Sequence, residues 1–389
     1  MPIKSVAIVG AGIAGLTAAL SFARHGIASD IVEQASELAE VGAGLQISPN
    51  AAHILSALDV LPLIEETWLE PETVDLASGL SLKTLVSLPM KSVARSRWHA
   101  PYGVLHRASL QQALLATVRN NPLCRLHLGK RLEIASKSEI AKTIFTEPDL
   151  IIGADGVWSS TRYAVPNSPV AAFSGNIAWR FTLSGDDAPE FLNRTAVTAF
   201  LGPSAHVVAY PLAETGGFNI VAIAVGANPG DTWKAEAQGQ QKAFLIQQFR
   251  RWHPAFSSAL ERPSTPTFWP LFQAGPGRWQ NGRDTVLIGD AAHAMMPFAA
   301  QGAAMAIEDA FELATFVAQG DALGSSLESF EAHRMPRVEQ ARRRAKLNSF
   351  AYHARGPLRI GRDVLLSLRP PEKFLADFDW LYGYRAKGL

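Results

Sequence analysis

Short, wholly apolar runs alternate with segments of helical spacing at the start of the chain, and the pattern changes twice farther along. Residues 4–9 (Lys-Ser-Val-Ala-Ile-Val) form the run that a strand buried on both faces requires. Leu16 to His25 follows helical spacing and stops at Gly26, a residue type that ends helices because it enters the left-handed region without strain. Ala28 to Glu33 is the next short strand, which completes a βαβ unit of about 30 residues. Leu105 to Asn120 returns to helical spacing, with Leu110, Leu114, Leu115 and Val118 on one face. Leu150 to Ala154 and residues 285–289 read as further buried strands.

Between these segments the periodicity is different. Residues 66–100 are irregular, with Pro71, Gly79 and Pro89, and are expected to supply strands of a second layer. From Val170 to Pro270 short alternating runs such as Ala205–Tyr210 and Phe218–Val225 are separated by Gly216-Gly217 and Pro229-Gly230, which predicts an antiparallel sheet. A helix is expected around Ala235 to Trp252, and the chain ends in helical pattern over Gly302–Ala318 and Ser325–Ala354. The predicted class is α/β: a Rossmann-like parallel-sheet domain, an inserted and mostly antiparallel β-sheet domain, and a C-terminal helical region. The expected boundaries are 1–70, 101–165 and 276–320 for the discontinuous parallel domain, 71–100 and 166–275 for the insertion, and 321–389 for the helices.

Composition narrows the setting. Hydrophobic residues at 48% against 18% charged supply ample material for a core in a 389-residue chain. The one cysteine, Cys124, excludes an internal disulfide and suits a reducing compartment; a structural thiol is favoured over a catalytic one. Met1-Pro-Ile-Lys leads straight into the first strand without a signal sequence, and no stretch reaches about 18 uninterrupted apolar residues. The expectation is a cytoplasmic protein without a membrane span. Residues 333–389 hold 13 Lys/Arg against 5 Asp/Glu, but Glu339, Asp363, Asp377 and Asp379 interrupt the run. This reads as a solvated helix face and not a nucleic-acid surface. No metal site is expected.

Three segments carry the chemistry. In Val6-Ala-Ile-Val-Gly10-Ala-Gly12-Ile-Ala-Gly15, Gly10 allows the tight turn, Gly12 lets backbone approach a pyrophosphate, and Gly15 permits close helix-on-strand packing. The following helix points its positive end at the phosphates, and Glu33 can bond ribose hydroxyls. The other two segments are Asp149-Leu-Ile-Ile-Gly-Ala-Asp155-Gly156 and Val286-Leu-Ile-Gly289-Asp290-Ala-Ala-His293-Ala-Met-Met-Pro297. Each alone also reads as a strand-to-helix turn or a helix cap. The first motif alone leaves NAD open; the three in order suggest one FAD laid along one sheet.

Over residues 4–345 the chain resembles the class A flavoprotein aromatic hydroxylases, FAD monooxygenases related to salicylate and hydroxybenzoate hydroxylases. The resemblance rests on Gly42-Ala-Gly44-Leu-Gln46-Ile-Ser48-Pro-Asn50, His106-Arg107-Ala-Ser-Leu-Gln111, Gly153-Ala-Asp155-Gly156-Val-Trp-Ser159-Ser-Thr-Arg162 and Gly289-Asp290 through Gln301-Gly302 to Glu308-Asp309. It implies cofactor contacts from Gly10, Gly12, Ala14, Gly15, Glu33, Gln34, Gly44, Arg107, Asp155, Asp290, Pro297, Gly302 and Ala303. It makes the discontinuous domain the FAD-binding domain and the insertion the substrate domain. It further implies reduction of the flavin by NADH or NADPH, addition of O2 at flavin C4a, and transfer of the distal hydroperoxide oxygen to an electron-rich ring.

His206 and Tyr210 alternate onto one strand face, and relatives that hydroxylate phenols place a histidine base and a tyrosine at this His-x-x-x-Tyr-Pro spacing. His206, near an ordinary pKa of about 6.5, is expected to take the phenol proton; a structural histidine is the alternative. Gln46, Ser48, His206, Tyr210 and Pro297 are the expected substrate contacts. For His293 a structural or cofactor-loop role is favoured, and Trp179-Arg180 is either structural or anion-binding. Where many relatives carry an Asp-Arg pair, this chain reads Phe272-Gln-Ala-Gly-Pro276, so no such role transfers to that strand end. The expected partners are a small phenolic or heteroaromatic acid, O2 and NAD(P)H, in a monomer or homodimer. A quinone precursor, polyketide or isoprenoid as substrate, and a flavin oxidase or reductase, remain alternatives.

Overall fold

Strand β1 (Ser5–Val9) lies at the centre of a parallel sheet, which is why its side chains are apolar on both faces. The sheet also contains β2 (Ala28–Val32), β7 (Cys124–His127), β8 (Leu150–Gly153) and β15 (Thr285–Leu287), in the order β15-β8-β1-β2-β7. Val6 registers with Ser29 on one side and Leu150 on the other, so the ends of β1, β2 and β8 come out together. The computed structural model describes residues 3–38, 44–133, 136–227, 235–236, 239–261 and 266–389.

The turn after β1 admits only glycine at two points. Gly10 has φ +102°, and a Cβ there would stand 2.6 Å from the Ala154 carbonyl oxygen. A Cβ on Gly15 would stand 1.9 Å from the Gly10 carbonyl oxygen, so the helix Ile13–Arg24 can lie this close to the turn only without one. That helix packs on the long helix Gly302–Gln319.

The second sheet has the order β13-β14-β9-β12-β11-β10-β4-β5. It comprises β4 (Thr73–Ser78), β5 (Thr84–Pro89), β9 (Ala171–Leu183), β10 (Ala196–Gly202), β11 (Ala205–Leu212), β12 (Gly217–Val225), β13 (Ala235–Glu236) and β14 (Thr267–Ala274). It is antiparallel except where β4 runs parallel to β10. Its two-residue alternation sorts the faces. Trp179, Phe181, Val207, Ile220, Ala222 and Phe268 join Leu245, Phe249, Phe256 and Leu260 of the helices Gly239–Phe249 and Pro254–Glu261 in a separate core. Arg180, His206, Val208, Tyr210, Val221 and Ile223 instead turn toward the parallel-sheet domain. A two-stranded antiparallel ribbon of β3 (Gly44–Ile47) and β6 (Gly103–His106) packs on β11 of the second sheet.

Some elements differ from expectation. Leu105 and His106 belong to β6, because pairing with β3 outweighs the helical spacing. The helix begins at Arg107, with His106 as its cap accepting from the Ala108 N–H. Ala235-Glu236 is a strand edge on β14, and the helix expected there starts at Gly239. Lys91–Arg97 is a helix within the segment expected to supply strands. Leu323–Tyr352 is helical through Pro336, and three more helices follow: Gly356–Leu368, Pro371–Ala376 and Asp379–Tyr382.

Candidate active site

A cleft of about 1290 Å³ runs from the ends of β1, β2 and β8 to the inner face of the second sheet. That is more than the roughly 300–1,000 Å³ of a pocket for one small ligand. Its first wall is Gly10–Ala14, Glu33, Gln34 and Asp155–Val157; Arg107 and Gln111 add a helix start, and Asp290, Pro297, Gly302 and Ala303 the opposite side.

Glu33 braces the turn. Its Oε2 accepts from the Ala11 N–H at 2.8 Å and its Oε1 from the Ala35 N–H at 2.9 Å. Asp155 is held through Oδ2 by the Thr161 N–H and hydroxyl at 3.1 and 3.0 Å, while its Oδ1 is buried without a partner. Arg162 ties the Asp155 turn to the Asp290 turn, donating to the carbonyls of Val157, Asp290 and Ala291. The carboxylate of Asp290 is left exposed at the cleft.

These features fit a dinucleotide flavin. The unpartnered Asp155 acceptor, the open space beyond Gly12 and Gly302, and two helix N-termini at one cleft suit a ligand with hydroxyls and a diphosphate. Lys130 and Arg131 also line the cleft beside Glu33. They follow β7, a strand whose short, partly polar run carries no signal in the sequence of a functional segment.

On the far wall, β11 places His206, Val208 and Tyr210 in the cleft, as the alternation predicts. Val208 registers with Val221 on β12, and Val221 with Arg180 on β9, so Arg180 reaches in from two strands away. Its Nε is buried and unpaired. Burial, and then the neighbouring Arg107, lowers its pKa, yet a guanidinium stays charged near neutrality. Burial pushes the Tyr210 phenol well up, against the opposing pull of Arg180. Gly44 touches the Tyr210 ring, where a Cβ would stand 2.5 Å from Cε2, and the Gly44 N–H donates to Asn219 Oδ1 at 2.7 Å. Gln46 lines the cleft with its Oε1 accepting from the Tyr102 hydroxyl at 2.6 Å.

The expectation of an ordinary imidazole at His206 does not hold. The ring is 1% exposed, and burial, together with the adjacent His353, holds its pKa well below the usual histidine value. His206 Nδ1 and His353 Nε2 are hydrogen-bonded at 2.9 Å. The sequence offered no sign of this partner, which is 147 positions away at the end of a helix.

Two expected contacts lie elsewhere. Ser48 is absent from the cleft wall; it is buried, with its hydroxyl donating to Asn50 Oδ1 at 2.6 Å. Gly15 lies behind the turn as a packing residue. His293 is buried outside the cleft and bonded to Asp309. Asn50 donates to Glu308, and Glu308, Asp309 and Glu312 surround Arg334 and Arg337 in a buried ionic cluster. Asp309 Oδ2 also accepts from the Gly289 N–H at 3.0 Å, so the cluster anchors the turn that carries Asp290. Gly42 and Ala43 lie outside the described residues. Cys124 lies off the cleft, and burial pushes its thiol up to about 11, as suits a structural residue. Among the described residues no group of side chains could hold a metal ion, and no helix is long and apolar enough to cross a membrane.

The family model described as FAD binding domain matches residues 4–345. A 3-hydroxybenzoate 6-hydroxylase of Aquipseudomonas alcaligenes is 31% identical over 388 residues, covering 98% of this chain and 98% of the relative. A 3-amino-4-hydroxybenzoate 2-monooxygenase of Streptomyces platensis is 31% identical over 391 residues, covering 98% and 96%. The structure of Klebsiella pneumoniae HpxO with FAD and uric acid has a TM-score of 0.81 at 22% identity, covering 97% of this chain and 96% of that one. A salicylate hydroxylase substrate complex has a TM-score of 0.78 at 21% identity, covering 99% and 96%. At these identities the structural likeness establishes the fold.

Proposed function

Since the chain belongs to the class A FAD-dependent aromatic hydroxylases, we propose that it hydroxylates a small phenolic acid of the hydroxybenzoate kind, with NADH or NADPH as reductant. It is an FAD-dependent monooxygenase of small aromatic substrates; the acid group and the phenol are the finer reading. The observation that carries this reading is Arg180, a buried cation with an unpaired N–H on the cleft face that also bears His206 and Tyr210. A substrate carboxylate would satisfy that N–H, and a charge-assisted pair in a dry site is stronger than a neutral one. Two strand spacings, about 10 Å, separate β9 from β11, which leaves room for a substituted benzene ring between their side chains.

The residues of the cradle divide the work of holding FAD. Gly10–Ala14 with the N-terminus of the helix Ile13–Arg24 would face the diphosphate, and Glu33 with Gln34 the adenosine ribose. Arg107, Asp155 and Asp290 would meet the diphosphate and ribityl chain. Pro297, Gly302 and Ala303, with the N-terminal N–H groups of the helix Gly302–Gln319, would meet the flavin ring. When bound, FAD supplies the electron transfer and oxygen activation. The chain supplies position and protons. Val208, Val221, Ile223, Trp269 and Met295 form an apolar stretch of the wall that would help keep water from the reacting atoms once flavin and substrate fill the cleft. His206 offers Nε2, the ring nitrogen not bonded to His353, to the substrate hydroxyl, and proton removal there makes the ring more nucleophilic.

The test is NADH and NADPH oxidation across hydroxybenzoates, aminohydroxybenzoates and hydroxypyridines, with labelled O2 traced into product. Stoichiometric label in a hydroxylated acid is the expected result. If every aromatic acid yields only hydrogen peroxide, the proposal fails.

A further inference from the structure

We propose that His353 is the second station of a proton relay, passing to solvent the proton that His206 takes from the substrate hydroxyl. This rests on the reading of His206 as the base. The two rings are bonded Nδ1 to Nε2 at 2.9 Å, with centroids 5.1 Å apart. Phe298 packs on both, at 5.0 and 5.2 Å, and Tyr352 on His206 at 5.3 Å. His353 is the cap of the helix Leu323–Tyr352, and its carbonyl accepts from the Ser204 N–H, which fastens the helix end to the turn before β11. His206 lines the cleft and is almost wholly buried; His353 lies outside the cleft wall and is partly exposed. One imidazole thus lines the cleft and the other lies outside it with part of its surface exposed.

The surroundings make passage easier than storage. Among the described residues no carboxylate is bonded to either ring; the neighbouring titratable or charged groups are Tyr352, whose phenol burial pushes up, and Arg355. Burial, and then Arg355, pulls His353 down to about 4. Neither ring retains a proton as a stable cation near neutrality, so a proton accepted on one nitrogen must leave from the other. The substrate O–H bond breaks as His206 Nε2–H forms; His206 Nδ1–H breaks as His353 Nε2–H forms; His353 Nδ1–H is then lost to water. Both rings end neutral with their tautomers exchanged, and return of a proton to the product resets them.

The experiment uses the FAD-loaded enzyme and the hydroxybenzoate that turns over fastest. Substrate ionisation on binding is followed by stopped-flow absorbance. His353→Gln is expected to retain FAD and bind substrate, yet slow phenolate formation about tenfold or more, within the range of general acid–base effects. Added imidazole should restore the rate. In the unmodified enzyme the rate in H2O/D2O mixtures should curve, as two protons in flight require. His206→Gln should abolish phenolate formation. If His206→Gln ionises substrate normally, the base assignment itself is wrong. If His206→Gln fails but His353→Gln matches the wild-type rate, or the isotope dependence is linear, the relay is overturned and the base remains.

Discussion

Arg334 joins the cofactor loop to the C-terminal helices, and its removal should cost stability and flavin together. Its guanidinium is fully buried and donates to Glu308 at 2.8 Å, Asp309 at 2.9 Å and Glu312 at 3.1 Å. Arg334→Met retains bulk but leaves these three carboxylates facing Arg337 as the remaining arginine of the cluster. Each keeps some support: Glu308 from Arg337 and Asn50, Asp309 from His293 and the Gly289 N–H, Glu312 from the Tyr384 hydroxyl and the Lys387 N–H. The expected loss is therefore that of one broken buried pair, about 3–5 kcal/mol. With an unfolding entropy of about 2.1 cal/mol/K per residue, a chain of 389 residues loses about 4–6 °C in Tm.

The pH dependence follows from the carboxylates. Burial pushes Glu308 and Asp309 up, but Arg334, with Arg337 at Glu308 and His293 at Asp309, outweighs it; Glu308 is held below its ordinary value and Asp309 at about 2. Folded values below the unfolded ones mean stability that is complete above about pH 5 and lost as pH falls toward the folded values. The gap between wild type and Arg334→Met should thus narrow as pH falls through the carboxylate range and should not widen. Scanning calorimetry with flavin fluorescence in the same samples reads both effects; free FAD should rise because Asp309 no longer holds the Gly289 turn firmly. A Tm within 1 °C of wild type, or a gap that widens in acid, would refute the reasoning.

Three further substitutions probe the cleft. Gly15→Ala forces a Cβ against the Gly10 carbonyl, and overpacking of about 1–3 kcal/mol should lower Tm and loosen FAD; an unchanged melting curve would show that the turn can yield. Asp290→Ala removes a charged acceptor worth about 1.5–3 kcal/mol, so FAD Kd by fluorescence titration should rise about tenfold to 150-fold. Retention of wild-type affinity would remove Asp290 from the cofactor site. Arg180→Met should raise KM for a hydroxybenzoate by about tenfold or more and leave that of the corresponding amide nearly unchanged, since the charge-assisted bond is lost for the acid alone; equal effects on acid and amide would mean that Arg180 does not read the carboxylate.

Much of the cofactor end was legible because its chemistry is local. A buried strand, a glycine turn and a helix start fall within ten residues at Val6–Gly15, and Asp155 and Asp290 follow strands in the same manner. Backbone geometry at such turns depends on the residue in place, so residue type and spacing report it directly. His206 and Tyr210 were legible for the same reason, since two-residue alternation determines which strand residues share a face.

The remainder depends on which elements meet. Ser48 reads as a substrate contact until Asn50 and Gln301 are seen to hold it in a buried network. Leu105 has helical spacing until β3 pairs with it. Arg180 reads as either structural or anion-binding until β9 places its unpaired N–H in the cleft, and Arg334 is part of a basic tail until the fold buries it among three carboxylates. The protonation behaviour of His206 is the sharpest case: residue type supplies an ordinary imidazole, and only burial and a partner 147 positions away turn it into the inner half of a pair. Turn geometry and strand alternation are set over a few bonds, whereas desolvation and charge pairing are set by what the fold brings alongside. The sequence by itself thus determined the parallel-sheet architecture, the flavin cradle and the strand face that meets it, and the tertiary structure decided the charge state and partners of the side chains on that face.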